Sequence, residues 1–210
     1  MNIKLIGNKT SPFVRKVEIV LQEQELLYDF QLDSPWESAS KVVGINPIGK
    51  IPVLIIGGET TLFDSSLIVE FLLKMVPNTE LSSKSETLND KLLMTVANAA
   101  LDTAVLCSWE LKRPNDKVDS NVMNKYKRRI ESCLRYMNGV YSVEKDTFSM
   151  SDVSALCCID YLLLRNFVPL IEEDYRNLFN RRKQLYTRQS VKTTSPLPNS
   201  AVQCGGHENA

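Results

Sequence analysis

Histidine is all but missing from this chain: His207 is the only one among 210 residues. Ser-His-Asp hydrolysis, Cys-His catalysis and multi-histidine metal sites all need imidazole, and a single one near the last position nearly excludes them. The five cysteines (107, 133, 157, 158 and 204) are odd in number and include no CxxC pair. A disulfide framework or a zinc ribbon is therefore not expected, and a reducing cytoplasm is the natural setting. Neither charge sign prevails, with 25 Lys plus Arg against 25 Asp plus Glu. That removes the electrostatic case for nucleic acid or an anionic membrane as main partner. No apolar run approaches the ~18–20 residues of a membrane span, and MNIKLIGNKTSPF lacks the apolar stretch and cleavage site of a secretory signal. What remains is ordinary globular usage, 43% hydrophobic and 24% charged, enough for one large domain or two small ones.

The first 77 or so residues alternate between strand and helix. Ile3 to Ile6 reads as a strand stopped by Gly7, and Pro12 to Gln24 carries Phe13, Val17, Val20 and Leu21 near helical spacing. Tyr28 to Leu32 alternates as a second strand, and Trp36 to Gly44 is irregular. Ile51 to Ile56, the turn Gly57-Gly58 and Thr61 to Phe63 spell a hairpin. Ser65 then opens a helix with Leu67, Ile68, Phe71, Leu72 and Met75, and Pro77 stops it. A polar stretch over 78–90 suits a linker. Beyond it the pattern is helical over about 85–111, 118–141, 152–167 and 171–185. From Val191 the chain offers few large apolar groups and two prolines, so a loosely packed or disordered tail is expected over 191–210.

Three stretches in the first half sit where chemistry is easily placed. In Thr10-Ser11-Pro12-Phe13-Val14-Arg15-Lys16, Ser11 suits a helix N-cap and Pro12 the first turn. This is either a capped helix alone or a hydroxyl at a positive helix end that steadies an anion. In Asn46-Pro47-Ile48-Gly49-Lys50-Ile51-Pro52, Pro52 opens an apolar strand, where a proline belongs at an edge or at the first residue. A cis bond there would expose the Ile51 backbone to a ligand, and the sequence alone leaves the isomer open. In Phe63-Asp64-Ser65-Ser66, Ser65 can cap the helix and greet a carboxylate, while Asp64 can take an ammonium. In the second half, Ser149-Met150-Ser151-Asp152 reads as a capping box ahead of an apolar run, a folding device. Cys157, Cys158 and Cys107 read as buried packing, and Lys125, Lys127, Arg128 and Arg129 as a solvated face.

These motifs, in this order, resemble the glutathione S-transferase superfamily over roughly residues 1–190, and most of all its small bacterial serine-type, YibF-like members. The carriers are SPFVRK at 11–16, NPIGKIPVL at 46–54, FDSS at 63–66 and FSMSD at 148–152. The resemblance implies a thioredoxin-like N-terminal domain over 1–77, a linker over 78–90 and an all-helical domain over 91–190. It also implies a homodimer in the cytoplasm, and a detoxifying transferase that joins glutathione to a small electrophile with no metal. On it, Ser11 matches the contact to the glutathione sulfur. Ile51 precedes a cis-proline, Pro52, and pairs with the cysteinyl backbone. Asp64 and Ser65 hold the γ-glutamyl end, and Phe13 and Lys50 complete the glutathione-binding set. Thr10 stands beside Ser11 as a substitute hydroxyl.

Departures from the family pattern narrow the chemistry. Where redox-active relatives of thioredoxin carry cysteines, this chain has Ser11 and Val14, so it cannot run thiol–disulfide exchange itself. No tyrosine lies in the first strand to replace the serine. The expected electrophile pocket lies between Ser11 and the first long helix, lined by Phe13, Leu106, Cys107 and Trp109. The alternatives are a non-catalytic glutathione-binding or interaction protein on the same scaffold, and a glutathione-dependent isomerase or dehalogenase.

Overall fold

The computed structural model describes residues 2–77, 80–81, 87–141 and 147–198. Four strands, β1 (Ile3–Gly7), β2 (Asp29–Leu32), β3 (Val53–Ile56) and β4 (Thr60–Phe63), form one sheet in the order β2-β1-β3-β4. β1 runs parallel to β2, with Leu5 opposite Phe30, and antiparallel to β3, with Leu5 opposite Leu54. β3 and β4 close the expected hairpin, with Leu54 opposite Leu62. Helices α1 (Pro12–Glu23) and α3 (Ser65–Met75) accompany the sheet, together with α2 (Val42–Ile45), a single turn inside the stretch read as irregular. This is a thioredoxin-like sheet followed by a helical remainder.

Strand alternation explains the layering. Ile3 and Leu5 join one core with Val14, Val17 and Leu21 of α1 and with Ile68 and Leu72 of α3. Ile6 turns to the other face, where it packs with Val42 and with its cross-strand partner Val53. Gly7, where β1 runs out, is set by close approach: a Cβ there would stand 2.4 Å from Cγ2 of Val14. Only glycine lets the strand end lie against the first turn of α1.

The second half comprises α4 (Leu88–Glu110), a 3-10 turn (Asn115–Lys117), α5 (Ser120–Val140), α6 (Met150–Arg165), α7 (Arg176–Leu185) and α8 (Gln189–Thr193). Leu88 to Asp90 already belong to α4, with Thr87 as its cap, so the expected linker ends earlier than residue 90. By length and mean hydropathy, 1.4, α4 would pass for a membrane span. In the fold it lies against α5 and α6, with Leu93, Ala97, Leu101, Ala104 and Cys107 buried between them.

The capping box is present. Asp152 accepts from the Ser149 amide at 2.9 Å and also receives the Tyr141 hydroxyl and the Arg181 guanidinium. Burial pushes the Tyr141 phenol well above its ordinary value, and Asp152 beside it adds to the rise.

The expected loose tail is corrected at its start. Val191 is fully buried in the same core as α1 and the sheet, and Thr194 is buried beside it. The cause lies in α1. Arg15 is buried, and its Nη1 donates to Asp160 of α6 at 2.6 Å, its Nη2 to the Val191 carbonyl at 3.2 Å and its Nε to Thr194 at 3.3 Å. Arg182 and Tyr186 complete the ring around Asp160 at 2.6 and 2.5 Å. A count of apolar side chains undervalues a segment whose backbone and hydroxyls satisfy a buried cation. The rest of the expected tail, residues 199–210, lies outside the described residues and includes Cys204 and His207.

Candidate functional site

An open cleft of about 940 Å³ separates the sheet domain from α4 and α6. Every residue singled out from the sequence for glutathione contact reaches it: Ser11 and Phe13 at the start of α1, Lys50, Ile51 and Pro52 ahead of β3, and Asp64 and Ser65 at the start of α3. Three chain segments far apart in sequence thus deliver their polar ends to one place.

Ser11 is the N-cap of α1, in extended conformation, and its Oγ accepts from the Val14 amide at 3.3 Å. A hydroxyl that accepts on a lone pair keeps its own proton to give. The neighbouring Thr10 hydroxyl donates to Asn8 at 3.2 Å and is already engaged.

The Ile51-Pro52 bond is cis. Asn46, buried, holds the approach to it: its Nδ2 donates to the Lys50 carbonyl at 2.8 Å and its Oδ1 accepts from the Ile48 amide at 2.9 Å. The sequence reading passed over Asn46. An Asx-type side chain three residues before a glycine, Gly49, which takes φ 67° in the fold, was the available signal.

At α3 the roles of two neighbours are exchanged. Asp64, not Ser65, is the N-cap: its Oδ1 accepts from Ser66 at 2.8 Å and from Leu67 at 3.3 Å. Asp64 adopts φ 71°, a conformation that costs a non-glycine residue free energy and concentrates at ligand sites. Its second oxygen, Oδ2, takes no part in the cap. Ser65 is nearly buried, borders the cleft, and its hydroxyl has no partner among the described residues.

Behind this end lies Lys16, buried, with its Nζ on Oδ1 of Asn98 at 2.5 Å. Burial pushes its pKa down, against the pull of Asp64 and Asp102 among other groups.

The far end of the cleft differs from the expected electrophile pocket. Phe13 and Trp109 line it. Leu106 is exposed outside the lining, and Cys107 is buried in the helical core, where burial raises its pKa. On α4, Leu106 and Cys107 turn to other faces, and the cleft takes Val105, Ser108 and Trp109, three and four positions apart, instead. Trp36, from the stretch read as irregular, stacks on Trp109 with ring centroids 3.5 Å apart. Lys112 lies over Trp36 at 3.3 Å, and Arg165 over Tyr161 at 5.2 Å. Cys157 and Cys158 are buried in α6, and burial pushes the Cys157 thiol up to about 11, so neither is a nucleophile. Among the described residues no group of three or more His, Cys, Asp or Glu could hold a metal ion.

Comparison with known proteins agrees with this geometry. Residues 10–75 match the family described as the N-terminal domain of glutathione S-transferase. The uncharacterised GST-like protein YibF of Escherichia coli is 27% identical over 199 residues, covering 92% of this chain and 98% of its own. A glutathione S-transferase of Methylobacillus flagellatus, solved with glutathione bound, is 32% identical, with a TM-score of 0.84, over 93% of this chain and all of its own. Another, from Methylobacterium radiotolerans in complex with glutathione sulfonate, shares the fold over the full length of both chains at a TM-score of 0.86 and 23% identity.

Proposed function

The chain belongs to the glutathione S-transferase superfamily, and from that premise we propose that it binds glutathione along the sheet side of the cleft, stabilises the thiolate through Ser11 and joins it to a small electrophile. The observation that carries the reading is the convergence of three unfilled polar ends on one cleft: the Ser11 proton, the Ser65 hydroxyl and the second oxygen of Asp64. A zwitterionic amino-acid end fits the last two, with carboxylate toward Ser65 and the α3 N-terminus and ammonium toward Asp64. The backbone at Ile51 is placed to pair with an extended peptide beside it.

Glutathione supplies the nucleophilic sulfur. The protein's task is to favour its ionised form. A free thiol with a pKa of about 8.5 is about 3% thiolate at pH 7. Lowering that pKa by about two units takes roughly 2.7 kcal/mol. A hydrogen bond from Ser11 to a charged acceptor contributes roughly 1.5–3 kcal/mol, and the N-terminus of α1 roughly 0.3–1. The two together suffice without imidazole or metal.

The subunits pair through Leu67 and Phe71 of α3 and Leu88 and Leu92 of α4, large apolar side chains left exposed in the single chain. A reducing cytoplasm suits both the free Cys107, Cys133, Cys157 and Cys158 and a thiol co-substrate. The test is retention on immobilised glutathione, followed by turnover of 1-chloro-2,4-dinitrobenzene. Failure to be retained, with no calorimetric heat on titration with glutathione, would overturn the reading.

A further inference from the structure

We propose that the electrophile this cleft takes is an aromatic or other planar compound bearing an anionic group, a carboxylate or sulfonate, held between Lys112 and Arg165; this rests on glutathione occupying the other end of the cleft. The far wall supplies flat apolar area in Trp36, Trp109 and Phe13, which suits a planar body. Beside it stand two cations. Lys112 follows the end of α4 and Arg165 is the last residue of α6, and both line the cleft.

Neither has a carboxylate partner within 4 Å among the described residues. The carboxylates that line the cleft are Glu37, Asp64 and Asp102, and none forms an ion pair with either cation. Each cation instead rests on an aromatic face, Lys112 on Trp36 and Arg165 on Tyr161. Slight desolvation, and secondarily Arg165, push the Lys112 ammonium below its ordinary pKa. Two like charges set at one end of a cleft therefore repel each other mildly, and an anion relieves the repulsion. Each sits at a helix C-terminus, whose partial charge of about half a unit offsets only part of each cation.

Preformed thioethers test the subsite without requiring turnover. Titration calorimetry would compare glutathione, S-(4-carboxybenzyl)glutathione and its neutral isostere S-(4-carbamoylbenzyl)glutathione. The expected result is about tenfold tighter binding of the carboxylate than of the amide, a preference that shrinks as salt rises. In Lys112→Met/Arg165→Met the ratio should fall to about one, while glutathione itself reports that the fold and the other end are intact. Both side chains are exposed, so the fold should survive the exchange. Glutathione binding with equal affinity for the two thioethers would overturn the anion subsite and leave the transferase reading standing. No binding of any of the three would overturn both.

Discussion

Because the Ser11 hydroxyl already accepts from the Val14 amide, its proton is the part left for a ligand, and removing it should act on ionisation rather than on affinity. Ser11→Ala should keep glutathione, held at Asp64, Ser65 and Ile51. The bound thiol's pKa should rise by about one to two units, and turnover at pH 7 should fall about ten- to a hundredfold. An ultraviolet titration of the thiolate band reads the first effect and steady-state kinetics the second. Unchanged values would hand the sulfur to a backbone amide or to Thr10. Ser65 behaves oppositely. The cap of α3 belongs to Asp64, so Ser65→Ala should weaken glutathione binding by about tenfold, one charge-assisted hydrogen bond, with a melting temperature close to wild type. A lowered melting point with unchanged affinity would mean that the hydroxyl serves the fold.

Among the elements, the C-terminal turn α8 is the sharpest case. Truncation after Ser190 removes Val191 and Thr194 and strips Arg15 of two of its acceptors. A buried cation left short of partners, together with the lost apolar burial, should cost about 3–5 kcal/mol. Truncation after Pro198 spares those contacts and should melt like the full chain. Equal melting of the two truncated forms would show that α8 carries no stability.

This is also where the sequence could be read least. The sheet, α1 and α3 are written in local signals: alternation, a Ser-Pro start, a Gly-Gly turn, a proline stop. The tail's anchoring depends on Arg15, some 176 residues earlier, and no local pattern announces a partner at that distance. The exchange of Asp64 and Ser65 at the α3 cap was hidden for a related reason. Both residue types cap helices, and only the backbone angle of Asp64 decides between them. Trp36 and Lys112 escaped notice because they lie in irregular stretches, where side-chain direction follows from no period.

For the whole molecule, the exposed Leu67, Phe71, Leu88 and Leu92 make the proposed association a measurable quantity. Phe71→Glu with Leu88→Glu should give a monomer by sedimentation equilibrium, whereas wild type should sediment as the proposed dimer. A monomeric wild type would remove the role assigned to these four side chains. The buried core also crosses the boundary between the halves: Val14, Val17 and Leu21 pack in one cluster with Leu156, Leu185 and Val191. Chain segments that share one core share one fate. Heat or urea should therefore melt the sheet half and the helical half in a single cooperative step, with calorimetric and van't Hoff enthalpies equal for each chain. A fragment of residues 1–77 alone would expose the face that α6 and α8 cover and should not persist as a soluble fold. In a cell, such coupling gives proteases no half-open state to seize, so the lifetime of the helical half becomes that of the site.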